Sequence, residues 1–185
     1  MEEALKHPLH KKVAEYLYEN LDCENVYCRL IKAPECGGAN NIPLFTDYDI
    51  KSNATEYCNV DLMIVRNDKI HVIIEIEESD ITPTRICGKF LTSVLSNYYS
   101  NNIKKEPPIE KNENILFIQI LDDEEAKKEN SNKIPQGGNL EKSIRSILPI
   151  GNITNYNLFY CSKENFEGEK IIEEIKNFIK QSKND

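Results

Sequence analysis

Three short runs constrain this chain most: LMIV at 62–65, VII at 72–74 and ILFIQIL at 115–121. Each is apolar on successive residues, broken only by Gln119 in the third, so both faces of an extended segment want cover. Such runs read as central strands of a sheet rather than strands with one face in water. The first two are joined by Arg66-Asn67-Asp68-Lys69, a short polar link that predicts an antiparallel hairpin. A sheet apolar on both sides needs flanking helices.

The sequence supplies them. Leu9, Val13, Tyr16, Leu17 and Leu21 recur at helical spacing, predicting an amphipathic helix over about 3–21. NVYCRLIKA, 25–33, reads as a strand. Residues 34–56, rich in Pro, Gly and Asn, read as a long loop. Thr82 before Pro83 is an N-cap followed by proline at the first helical position, and Ile86, Phe90, Val94 and Tyr98 carry that helix to about Ser100. KKEPPIEKNE is read as linker. From Asp122 to Gly138 the chain is polar and is read as an exposed, mobile loop. A short helix in LEKSIRSIL, a strand in YNLFYCS and an amphipathic helix in ENFEGEKIIEEIKNFIKQ complete the order. The fold class is therefore α/β, a mixed central sheet flanked by helices, in one domain of 185 residues.

No apolar run approaches the roughly 20 residues a bilayer span needs, and MEEALKHPLH lacks the apolar core of a signal peptide. The expected compartment is the cytoplasm. The net charge of -8 argues against a protein that coats nucleic acid indiscriminately, because neutralising phosphates takes Lys and Arg. It leaves room for a local basic face. The six cysteines contain no CxxC pair. Cys23, Cys28, Cys36 and Cys58 are a zinc candidate whose spacing matches no common knuckle, and the competing reading is free thiols.

The acids at strand ends carry the chemistry. Glu75 and Glu77 alternate along one strand and so share a face. Like charges there repel and resist desolvation, which calls for a compensating cation. Asp61 opens the preceding strand, and register decides whether it joins them. A turn of Asn67 and Asp68 alone sets Asp61 opposite Ile74, facing away. A three-residue loop, a bulge or a five-residue loop sets it across from Glu75, with directly opposed Cβ atoms about 4.5–5.5 Å apart. Convergence of the three acids thus demands an odd register.

Asp61, thirteen intervening residues, then Glu75-Ile76-Glu77 after an apolar strand resembles the PD-(D/E)xK nuclease superfamily. The resemblance implies a restriction-endonuclease-like core (αβββαβ) over about 3–121, with a family-specific αβα addition over about 122–185. It departs from the usual pattern at Val60, where Pro is common, and at Glu77, where Lys is usual; some type II restriction enzymes carry a second acid there. What it implies is a Mg²⁺-dependent DNA endonuclease, with Mn²⁺ as a substitute. Asp61, Glu75 and Glu77 would hold the metal, Glu77 would also orient the attacking water, and Glu15 or Glu19 of the first helix would add an acid, Glu15 preferred. Glu78 is read as a solvated neighbour, His7 and His10 as capping or exposed residues, and Gln119 as an edge residue or one reaching the acids.

The helix beginning at Pro83 offers free amides at its start, and Arg85 and Lys89 share one face. With Ser79, Thr82 and Thr84 they are candidate contacts to a DNA backbone, with Lys104, Lys105, Arg29 and Lys32 as a basic margin. A homodimer is expected, since cutting two strands takes two sites. The rival reading is a nuclease-fold domain without catalysis that binds nucleic acid or a protein partner.

Overall fold

The computed structural model describes residues 7–21, 28–48, 51–79, 81–100, 107–127 and 132–181. Its elements run α1 (Pro8–Asn20), β1 (Cys28–Lys32), a 3₁₀ turn (Pro34–Cys36), β2 (Pro43–Phe45), β3 (Glu56–Asn59), β4 (Leu62–Arg66), β5 (Lys69–Glu77) and α2 (Pro83–Leu95). They continue with β6 (Tyr98–Tyr99), β7 (Ile109–Asp122), α3 (Asp123–Ala126), α4 (Lys133–Ser146), β8 (Ile153–Cys161) and α5 (Gly168–Gln181). The eight strands form one mixed sheet in the order β1-β4-β5-β7-β6-β2-β3, with β8 also on β7. The three apolar runs are its centre: β4 pairs antiparallel with β5, and β5 parallel with β7.

Alternation along these strands sorts their side chains into two cores. Leu62, Ile64, Val72, Ile74, Ile76, Leu116, Ile118 and Ile120 pack beneath α1 and α5. Met63, Val65, Ile73, Ile115 and Phe117 pack against Phe90 and Val94 of α2 and Ile144 of α4. Phe117 stacks on Tyr156 and meets Phe90 edge-on. Among the described residues no helix is long and apolar enough to cross a membrane.

Several boundaries differ from the sequence reading. Segment 34–56 is not one loop: β2 adds to the sheet, pairing with β3 and β6. The helix from Pro83 stops at Leu95, and Tyr98–Tyr99 pairs with β7. Ile109–Glu113, read as linker, already belongs to β7, whose partner strands satisfy a backbone that local composition marks as polar. The polar 122–138 stretch holds α3 and the start of α4. In the C-terminal part β8 continues the sheet beside β7, and Ile171, Ile175 and Phe178 of α5 share a core with α1. Expectations for residues 3–6, 22–27 (Cys23 included) and Lys104-Lys105 lie outside the described residues.

A buried lysine closes the end of α2. Lys111 of β7 donates to the carbonyls of Ser93, Val94 and Ser96, meeting the negative end of that helix. Lys111→Met should lower stability by about 2 kcal/mol, the scale of a charge-assisted hydrogen bond, as a shift in urea midpoint with unchanged slope.

Candidate active site

The β4–β5 turn is the two-residue one: Arg66 pairs with Lys69, while Asn67 (φ 49°) and Asp68 (φ 55°) take the left-handed conformation that a tight hairpin needs. Left alone, that register turns Asp61 away from Glu75. A bulge corrects it. Val65 pairs with Ile70 but Ile64 with Val72, so His71 is an extra residue on β5 and every pair beyond it moves by one. Leu62 then faces Ile74, and Asp61, the next residue, stands level with Glu75.

Asp61 is fastened there. Its Oδ2 accepts the Ile76 N–H at 2.7 Å, and its own carbonyl accepts from Ala33 N at 2.9 Å. Glu75 and Glu77 are almost wholly buried on the α2 side of β5. α2 begins six residues after Glu77, capped by Thr82 Oγ1 on Arg85 N at 3.3 Å, so its first two turns pass over the acids. Lys89 Nζ lies 2.6 Å from Glu77 Oε1, 2.8 Å from Glu75 Oε2 and 3.4 Å from Asp61 Oδ2. Arg85 Nε lies 2.8 Å from Glu77 Oε2. The three acids that the register argument required to converge therefore do so, around one ammonium.

From the opposite layer comes a residue that the sequence reading set aside. His10 of α1 is buried and receives Glu78: Glu78 Oε1 lies 2.7 Å from His10 Nδ1 and accepts the His10 backbone N–H at 2.9 Å. His10 Nε2 is 3.7 Å from Asp61 Oδ1. Glu78 is thus bound to the first turn of α1 and not a solvated neighbour, because the side chain at 78 falls on the α1 face of β5 while those at 75 and 77 fall on the α2 face.

Glu15, the preferred helix acid, is exposed and pairs with Lys11 at 3.8 Å; Glu19 is exposed too. Neither joins the cluster, since both lie on the face of α1 turned from the sheet. Gln119 is level with Glu75 in the β5–β7 register but spends its amide elsewhere, donating to Ile86 O and accepting from Tyr156 Oη. Of the proposed DNA contacts, Ser79, Thr82 and Thr84 are exposed around the start of α2. Arg85 and Lys89 turn inward to the acids. Of the zinc candidates, Cys36 is buried and Cys28 and Cys58 are half-buried; among the described residues no metal-ligand cluster includes a cysteine.

The electrostatics follow from crowding. Burial would raise Asp61, but the His10 contact, the Lys89 ammonium and the Ile76 N–H outweigh it and hold its pKa at about 2. Glu75 goes the other way: complete burial, with Asp61 beside it, pushes its pKa well up although Lys89 opposes. For Lys89, burial is overcome by Glu75, Asp61 and Glu77, which hold the amine charged above its ordinary value. His10 is likewise raised: burial lowers it, and Asp61 and Glu78 more than restore it.

Three carboxyl groups thus crowd around one ammonium and a half-exposed guanidinium. Glu75 Oε1 is buried with no hydrogen-bond partner, a costly state for an acceptor. Carboxylate oxygens suit a hard divalent cation, so the donor set of Asp61, Glu75 and Glu77 fits one, with the orphaned Oε1 as its clearest ligand. Compared with known protein families, curated proteins and solved structures, the chain matches none.

Proposed function

We propose that the protein is a divalent-metal-dependent DNA endonuclease, active with Mg²⁺ and also Mn²⁺, built on a restriction-endonuclease-like core of the PD-(D/E)xK type. One observation carries the reading: Asp61, Glu75 and Glu77 meet at one strand end around Lys89, while Glu75 Oε1 stays buried and unpartnered. The lysine expected at position 77 is absent, but α2 delivers an ammonium to the same carboxylates, so the site keeps both its cation and an extra acid.

Asp61 and Glu75 would hold the metal, with Glu77 as a further ligand. A bound divalent ion lowers the pKa of a water and offsets charge building on the phosphate. The Lys89 ammonium, charged at neutral pH, would add a fixed positive charge near the attacked phosphate. Glu77 would orient the incoming water and take its proton. Arg85, half-exposed beside Glu77, with the hydroxyls of Ser79, Thr82 and Thr84 around the start of α2, would seat the neighbouring phosphates. Two-strand cleavage would use a homodimer, acting in the cytoplasm.

Purified protein should convert plasmid DNA to fragments with Mg²⁺ or Mn²⁺ and not with EDTA. Asp61→Asn should slow that conversion about a hundredfold or more, the scale of losing one preorganised charge in a site. A second reading, a non-catalytic nucleic-acid or protein-binding domain, draws on Lys89 already contacting all three carboxylates. No cleavage of varied DNA substrates, together with no Mg²⁺ heat by calorimetry, would select it.

A further inference from the structure

A second cluster lies beside the acids on the α1 side of the sheet. His7, His10 and Glu78 each offer one ligand atom, all within 4.8 Å of one another. We infer that these three residues form a transition-metal site, distinct from the carboxylate cluster and suited to Zn²⁺ or Co²⁺. The inference does not rest on the nuclease reading.

The local sequence prepares the site. His7 is the N-cap of α1 and His10 lies in its first turn, so helical geometry sets their separation. Pro8 between them fixes a backbone angle and stiffens the junction. The rings stand 5.1 Å apart, centroid to centroid. Glu78 is already anchored from two directions, by the His10 backbone N–H and the His10 ring. Exposed His7 makes no side-chain cap bond to its helix, so no capping role explains its place. A cation centred among ligand atoms this close stands no more than about 2.8 Å from each, and rotation of the exposed His7 ring closes the rest towards metal–nitrogen distances of about 2.0–2.1 Å. The 2.7 Å contact between Glu78 Oε1 and His10 Nδ1 is a hydrogen bond whose proton a bound cation would displace.

Two imidazoles and one carboxylate select the metal class. Magnesium prefers oxygen and holds its waters, whereas Zn²⁺ and Co²⁺ take imidazole nitrogen readily. Occupancy would pin the start of α1 to the end of β5. It would also fix the His10 ring, whose other nitrogen faces Asp61.

The test uses the full chain, freed of metal, titrated with Co²⁺ and followed by visible absorption and calorimetry. Glu75→Gln removes the acidic cluster's main ligand, so this background isolates the histidine site. Co²⁺ should still bind there and develop a band of nitrogen-ligated cobalt. Adding His7→Ala, whose side chain supports no helix cap, should weaken Co²⁺ about tenfold or more. The same His7→Ala change in the wild-type background should leave Mg²⁺ binding unaltered. Absence of Co²⁺ binding in Glu75→Gln protein, or equal affinity with and without His7, overturns the site.

Discussion

Lys89→Met should be the most damaging single change to stability, costing about 3–5 kcal/mol in metal-free protein at neutral pH. That is the scale of stripping the counter-ion from a buried charge group. The methionine fills similar space, so the loss is electrostatic: Asp61, Glu75 and Glu77 would face one another with no ammonium among them. In a chain of this size the melting temperature should fall by roughly 10 °C. The deficit should shrink with acid, as the carboxylates take up protons, and shrink with millimolar Mg²⁺ if the cation supplies the missing charge. A deficit independent of both pH and Mg²⁺ would mean that Lys89 acts only through packing.

Glu75→Gln should separate stability from activity. Cleavage should fall by about a hundredfold or more, because the orphaned oxygen that best fits a metal is replaced by an amide. Metal-free stability at pH 7–8 should rise by about 1–3 kcal/mol, the cost of an unsatisfied buried polar group. An amide keeps an acceptor for Lys89 and gains a donor towards the neighbouring Asp61 carboxylate. The sign follows from linkage. A carboxyl whose folded pKa is raised contributes stability that is complete below its unfolded value and is lost as pH rises through the folded one. Wild-type protein should therefore weaken from about pH 5 upwards on this account, and Glu75→Gln should remove that slope. Asp61 has the opposite sign: its pKa is held at about 2, so its contribution is present above the ordinary carboxylate range and lost as pH falls from about 4 to 2. Chemical melts across pH 2–9 on both proteins resolve the two windows.

Much of this molecule is written locally. Apolar runs at 62–65, 72–74 and 115–121, the last broken only by Gln119, admit little but central strands, and helical spacing in α1, α2 and α5 places their inner faces, because burial follows from residue type and period. Alternation also put Glu75 and Glu77 on one face of β5. Whether Asp61 joins them was not local: Asn67-Asp68 alone predicts the wrong register, and only packing of β5 between β4 and β7 places the extra residue at His71 and brings Asp61 level. Tertiary structure likewise turned Arg85 and Lys89 inward, since helical spacing says that they share a face but not what that face covers. It brought His10 to Glu78 across 68 positions of chain and left Glu15 in solvent. Composition and period are short-range properties that one segment carries by itself. The direction of a charge depends on which distant segment lies opposite, and that is decided only when the layers close.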